Sequence, residues 1–294
     1  MPEDSILEVR GLRKVYRVRA SRADPGPAGS ALLGHPLARR QRARALVAVD
    51  DVSFSVAPGQ SLAVVGESGS GKTTVARMVV GLERPTGGTI WVSGQERSWR
   101  HVTSRERRRR AREVQIIFQD PYSSLDPRMS VRGCLDESLR LHFDWGRERR
   151  DARVAELLDQ VGLDRRQAES LPRALSGGQR QRVAIARALA SEPRVLICDE
   201  AVASLDVSIQ AQVLNLLSDI RDATGVSYLF ISHDLAVVRQ VSDNVVIMRR
   251  GRVVEAGPTA SVLSDPSNGY TKQLLAAIPR PGWKPTRSAS PDES

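Results

Sequence analysis

Residues Gly66-Glu67-Ser68-Gly69-Ser70-Gly71-Lys72-Thr73 fit the pattern G-x-x-x-x-G-K-[ST]. Each residue type has a reason to stand there. Glycines let the backbone take positive φ and come close to a phosphate. Consecutive N–H groups form an anion nest, backed by the positive end of the following helix. Lys72 is then placed to reach the β- and γ-phosphates of a nucleotide, and the Thr73 hydroxyl to ligate Mg²⁺, with Thr74 beside it. The motif leaves a short buried-strand run, Ser61–Val65, and opens a helix-like stretch at 72–82, which is the context it requires.

Another apolar run, residues 195–198, delivers Asp199 and Glu200 at its end. Asp199 can hold Mg²⁺ through water, and Glu200 can orient and polarise an attacking water. Alone, the pair also fits an ordinary strand end or a helix cap; a phosphate loop upstream favours the chemical reading. Leu175-Ser176-Gly177-Gly178-Gln179 is one more candidate helix N-terminus. A serine and two glycines there can bind phosphate or simply cap the helix.

The elements that must carry these groups alternate between strand and helix. Alternating polarity marks strands at 6–16 and 46–57, and Pro58-Gly59 marks a turn. A short strand and turn are expected at 88–95, an Arg-rich helix after it, and a strand at 114–118. Residues 130–170 read as helical, and a helix runs from Ser176 to about Ala190 before Pro193 breaks the pattern. Residues 195–198 and 228–231 are strands of the buried parallel kind, separated by a helix at 209–221. Residues 243–257 suggest a hairpin with Gly251 in its turn. Such alternation implies an α/β fold, a mostly parallel sheet with helices on its faces. The tail from Pro279 has a disordered composition.

The 294 residues can bury a substantial core without a metal or disulfide staple. Hydrophobic residues make up 40% and charged residues 27%, ordinary for a globular chain. No apolar run approaches membrane-spanning length, and Met1-Pro2-Glu3-Asp4 does not open a secretory signal. Cys134 and Cys198 form neither a CxxC pair nor a metal spacing, which points to a reducing compartment. The net charge of +10 is local: residues 1–45 carry +6 and residues 97–112 carry +7, leaving −3 for the rest. That excludes a uniformly basic nucleic-acid binder and leaves two patches. They are either solvated Arg-rich faces or contacts for anionic lipid or an acidic partner surface.

Taken in order, the motifs resemble those of ATP-binding-cassette (ABC) ATPases. Leu175–Gln179 is similar to the family signature and stands 24 residues before Asp199, where the family has it. Gln119 looks like the Q-loop glutamine, which senses Mg²⁺ and the membrane subunit. Ser204-Leu205-Asp206 looks like the D-loop, His233 like the switch histidine, and Tyr16 like the aromatic that stacks on adenine. Within the family the resemblance narrows. Residues 118–128, 205–212 and 270–279 are similar to segments of oligopeptide/dipeptide (peptide/nickel) importer ATPases. Two positions depart from that pattern: Asn268-Gly269-Tyr270 replaces His-Pro-Tyr, and Ala201 replaces the usual Pro after the catalytic Glu.

The resemblance implies a P-loop NTPase cassette: a RecA-like, mostly parallel core with an antiparallel β subdomain and an α-helical signature subdomain. The expected organisation is a nucleotide-binding domain at 6–258, with helical subdomain at about 120–190 and basic insertion at 19–45. A C-terminal extension at 259–280 and a disordered tail at 281–294 would follow. Implied catalytic residues are Glu200, His233, Lys72 and Gln119. Implied nucleotide contacts are Tyr16, residues 66–74 (Gly66 to Thr74), Ser176, Gly177, Gly178, Gln179 and Asp206. Implied Mg²⁺ ligands are Thr73, Gln119 and Asp199.

The implied function is an ATPase that powers import of oligopeptides, dipeptides or related small solutes, peripheral on the cytoplasmic face of the cell membrane. Its partners would be a second ABC ATPase subunit, two permease subunits and, indirectly, an extracytoplasmic solute-binding protein. Longer relatives carry a cysteine-rich tail; two cysteines are too few for a four-thiolate iron–sulfur cluster, so none is expected. The alternative is an ABC ATPase acting on nucleic acid or ribosomes, motivated by the Arg-rich segments. Aromatics do not interleave with those segments as base stacking would need, so no nucleic-acid partner is expected.

Overall fold

The computed structural model describes residues 5–18, 44–100, 102–120, 122 and 124–277. Two sheets stack on each other. β1 (Leu7–Val18), β2 (Arg44–Val56), β4 (Gly87–Val92) and β5 (Gln95–Glu96) form an antiparallel sheet in the order β2-β1-β4-β5. β3 (Ser61–Val65), β6 (Val114–Ile117), β7 (Val195–Asp199), β8 (Ser227–Ser232), β9 (Asn244–Arg249) and β10 (Arg252–Pro258) form the other, in the order β10-β9-β3-β8-β7-β6. Its pairings are parallel except for the antiparallel β9–β10 hairpin at one edge.

The apolar runs are continuous because the parallel sheet is covered on both faces. β3 and β7 are buried at every position. Alternate residues go to separate cores. Ala63, Val65, Leu196, Cys198, Tyr228 and Phe230 face one core; Leu62, Val64, Val195, Ile197, Leu229 and Ile231 face the other. On the second face lie the antiparallel sheet and α1 (Lys72–Val80), through Val75, Ala76, Met78 and Val79. On the first face lie α3 (Val131–His142), α4 (Arg147–Gln160), α5 (Arg165–Ala168), α6 (Gly177–Leu189) and α7 (Val207–Thr224), with a 3₁₀ turn at Pro172–Ala174. The expected α/β cassette, with an antiparallel β portion and a helical portion that includes the signature residues, is the observed one.

Several expected elements resolve more finely. The helical reading of 130–170 breaks into three helices. Gly146 caps α4, Gly162 turns the chain out of it at φ +65°, and Asp164 caps α5 with a reciprocal Gln167 bond. α2 (Ser104–Glu113) holds most of the Arg-rich segment, and Thr103 caps it. There Arg109 and Arg110 both bond Glu106, so part of its positive charge is committed within the helix. α8 (Leu235–Val241), α9 (Thr259–Ser264) and α10 (Gly269–Ala276) were not expected as helices. Val262, Leu263 and Tyr270 of the last two pack into the same core as α3–α7. The basic insertion lies outside the described residues apart from positions 44 and 45, which belong to β2; the tail from 279 lies wholly outside them.

Because β3, β6, β7 and β8 run parallel, their C-terminal ends share one edge of the sheet. The phosphate loop, Gln119, the Asp199–Glu200 pair and His233 follow those four ends. Ligands bind at such an edge in open α/β sheets.

Candidate active site

The loop from Gly66 to Gly71 is shaped by contacts a side chain would block. A Cβ on Gly66 would lie 2.2 Å from the Met248 carbonyl oxygen of β9. Gly71 sits at φ +104°, with a Cβ position 2.4 Å from the Ala48 carbonyl oxygen. Both approaches need glycine. The Ser70 carbonyl accepts the Gly251 N–H at 2.9 Å, so the β9–β10 turn holds the loop just before Gly71. Gly71 is also the N-cap of α1 and supplies no side-chain cap. The first-turn N–H groups of α1 therefore have no side-chain acceptor and present an anion site.

Lys72 opens α1 and is 5% exposed. Its Nζ donates to the carbonyls of Gly66 at 2.7 Å and Glu67 at 2.9 Å, bridging back across the loop. Burial pushes the ammonium below its ordinary pKa, opposed by the carboxylates of Glu200, Asp199 and Glu67. A cation held this way is poised to exchange carbonyl partners for phosphate oxygens.

Asp199 ends β7 with 6% of its surface exposed. Burial raises its carboxyl; the Thr73 hydroxyl, donating to Oδ1 at 3.3 Å, works against that rise, and the Glu200 charge adds to it. Mg²⁺ prefers hard oxygens and keeps waters and substrate phosphates around it rather than a full protein cage. Thr73 Oγ1 and Asp199 Oδ1 are such donors beside the phosphate loop. Among the described residues no cluster of three or more His, Cys, Asp or Glu offers a complete cage. The pair thus fits a magnesium ion brought in with a nucleotide.

Glu200 takes φ +50°, an uncommon value for a residue with a Cβ. Its N–H donates to the Ile231 carbonyl at 3.0 Å, which ties the end of β7 to β8. Its Oε1 lies 3.1 Å from His233 Nδ1. An ionised carboxylate only accepts, so Nδ1 carries the proton in that bond. His233 is exposed, and the following Asp234 caps α8. Together these residues can present a base and a proton-bearing ring to a water above the phosphate loop.

Lys72, Thr73, Asp199, Glu200 and His233 are therefore brought together. Gln119 is exposed two residues after the end of β6, the strand next to β7; among the described residues no hydrogen bond joins it to Thr73 or Asp199. Among the described residues no hydrogen bond joins the signature residues to the loop. Ser176 Oγ accepts the Gln179 N–H at 3.2 Å, and Gln179 Oε1 accepts the Ser176 N–H at 2.9 Å, a reciprocal cap at the start of α6. Gly178 packs against Ile209 of α7, where a Cβ would lie 2.6 Å from Ile209 Cγ2. Asp206, the N-cap of α7, is exposed and makes no side-chain cap. Tyr16 is half-buried in β1, opposite Leu46, with its ring 4.9 Å from Lys14 Nζ. Glu67 and Ser68 are exposed, Thr74 half-buried.

Two further contributors were missed in the sequence. Gly251 was expected only as a turn residue, yet it holds Ser70. Tyr270 places its hydroxyl 3.2 Å from the Glu67 N–H. No local pattern marks a tyrosine 203 positions away as a partner of the loop.

Comparison with known proteins bears on family and fold. The ABC transporter family model matches residues 49–203. An ATP-binding protein of Brucella abortus (strain 2308), assigned to peptide import, is 50% identical over 235 residues, 80% of this chain and 70% of that protein. The glutathione import ATP-binding protein GsiA of Escherichia coli (strain K12) is 48% identical over 236 residues, 80% of this chain but 38% of that longer protein. Among solved structures, cbiO1 from Clostridium perfringens, part of the ABC transporter complex cbiONQ, superposes with TM-score 0.72 at 25% identity, covering 90% of this chain and 92% of that one. A dimeric post-hydrolysis ATP-binding cassette bound to ADP and Pi gives 0.69 at 24% identity, over 86% and 98%.

Proposed function

The chain belongs to the ABC transporter family, and from that premise we propose that it is the ATP-hydrolysing subunit of an importer of peptides or related small solutes. One observation carries the chemistry: the Glu200–His233 pair and the Thr73–Asp199 pair stand at neighbouring strand ends around the Lys72 loop. The cargo class rests on similarity to relatives named for peptide and glutathione import.

In the proposed reaction the loop N–H groups and Lys72 hold the phosphates of ATP, while the Tyr16 ring offers a stacking face for adenine. Thr73 and Asp199, with Gln119 approaching from β6, would hold Mg²⁺, which neutralises charge on the phosphates when bound. Glu200 orients a water toward the γ-phosphorus and takes up its proton. The water oxygen bonds to phosphorus as the bond to the ADP oxygen breaks. His233, hydrogen-bonded to Glu200, keeps that carboxylate aimed and contacts the departing phosphate.

Among the described residues Ser176, Gly177, Gly178 and Gln179 make no hydrogen bond to the phosphate loop of their own chain. They are assigned to a nucleotide held by a second cassette, with Asp206 linking the two sites. Loss of the γ-phosphate then removes a bridge between subunits and opens the dimer. The domain boundaries at 258 and 280 stand as part of this proposal. No helix of the described residues is long and apolar enough to cross a membrane. Permease subunits would supply that passage and hold this chain on the cytoplasmic side. Co-expression with permeases encoded beside it tests the assignment. ATP-dependent uptake of labelled peptides into vesicles supports it; hydrolysis that never associates with membrane subunits overturns it.

A further inference from the structure

The phosphate loop is gripped by the far end of the chain. α10 starts at an anchored corner. The Asn268 side chain accepts the Tyr270 N–H at 2.8 Å and donates to the Val254 carbonyl at 3.2 Å. The Glu255 carboxylate accepts the Ser267 N–H at 2.7 Å, the Ser267 hydroxyl at 2.8 Å and the Asn268 N–H at 3.3 Å. These bonds fix the start of α10 on β10. Tyr270 is then held on two sides. It is 5% exposed, and the Arg249 guanidinium at the end of β9 lies 4.6 Å from its ring centre. From that seat its hydroxyl accepts the Glu67 N–H at 3.2 Å.

We propose that Tyr270 is a positioning residue for the phosphate loop: its hydroxyl fixes the Glu67 amide and so sets the path by which the chain enters the anion nest. The proposal rests on the nucleotide-binding reading above. Gly66 already presses on the Met248 carbonyl, and Gly251 holds Ser70 on the other side. Tyr270 is the third restraint, and it acts on the residue between those two. A loop whose amides are aimed before the ligand arrives spends less of its binding energy on ordering. The ring anchors α10 against Arg249, while the hydroxyl alone acts on the loop.

That division of labour gives the test. Tyr270→Phe keeps the ring and removes the hydroxyl. In the nucleotide-free full chain, hydrogen–deuterium exchange at the Glu67 amide should speed up about fivefold, as expected for losing one hydrogen bond. A fluorescent ATP analogue should bind about three- to tenfold more weakly, and KM for ATP should rise by more than kcat falls. Tyr270→Ala should move the same quantities and also lower Tm, because the buried ring is lost. If Tyr270 only anchors its helix, Tyr270→Phe will match the wild type in exchange and in affinity, and the proposal is overturned. Unchanged exchange at Glu67 overturns it by itself, whether or not the chain binds nucleotide. Equal nucleotide binding by wild type and Lys72→Ala, or none by either, would instead count against the nucleotide reading, with the exchange arm still deciding on Tyr270.

Discussion

Glu200 and His233 meet across two strand ends, Oε1 to Nδ1 at 3.1 Å, although 33 positions separate them in the chain. The parallel pairing of β7 with β8 creates the meeting, since both strands exit at the same edge. Glu200→Gln keeps the shape and removes the charge. Phosphate release should fall by at least about 100-fold while nucleotide affinity changes by less than about threefold. With ATP present, the variant should elute as a stable dimer. Hydrolysis at the wild-type rate would remove Glu200 from the proposed role.

Lys72 is the only ammonium bonded to the loop among the described residues, and it satisfies two loop carbonyls. Lys72→Ala should weaken binding of a fluorescent ATP analogue about 10- to 100-fold, the worth of one or two charge-assisted bonds. Hydrolysis should become undetectable. Near-normal affinity would count against this loop as the nucleotide site.

Gly66 and Gly69 separate crowding from backbone preference. Gly66 has a carbonyl oxygen where its Cβ would be; Gly69 has φ +80° but open space around it. Gly69→Ala should cost about 1–2 kcal/mol through its dihedral alone. Gly66→Ala must displace β9 or the loop, so its Tm should fall further and its nucleotide binding with it. Equal Tm losses in thermal melts would contradict the packing of Gly66 on Met248.

Glu106 gives a stability signature in acid. Hydrogen bonds from Arg109 and Arg110 hold its carboxyl down at about 2, from an ordinary 4.5. A depressed carboxyl stabilises the fold above its unfolded pKa and loses that contribution as pH falls toward the folded value. The group is partly exposed, so Glu106→Gln should cost less than about 1 kcal/mol near neutrality. The Tm gap between variant and wild type should be constant above about pH 5 and close between 4.5 and 2. A gap that persists at pH 2 would assign the effect to helix packing instead.

The chemistry was legible in the sequence where it is local. Gly66 to Thr73 are consecutive, and the apolar runs of β3, β7 and β8 signal strands buried on both faces. Asp199 and Glu200 are read from their place at such a strand end. Contacts between distant segments were not legible. Thr73 meets Asp199 across 126 positions, and Ser70 is held by Gly251 only because β9 lies beside β3. The helices at 235–241, 259–264 and 269–276 escaped because short segments carry little periodicity and gain stability from the core they cover. The apolar spacing in 130–170 was visible, but the breaks at Gly146 and Gly162 were read through.

The restraints on the phosphate loop also set an order of events during synthesis. Residues 66–71 leave the ribosome well before Met248, Gly251 and Tyr270 are made, and a chain folds from its N-terminus as it emerges. Until the β9–β10 hairpin docks, the loop lacks the surface that curves it. Closing so long a span is entropically slow. The nascent protein should therefore be unable to hold nucleotide until that hairpin has emerged, and gain the ability in one step when it docks. A chain truncated before residue 244 would have the full phosphate-loop sequence and no binding cradle.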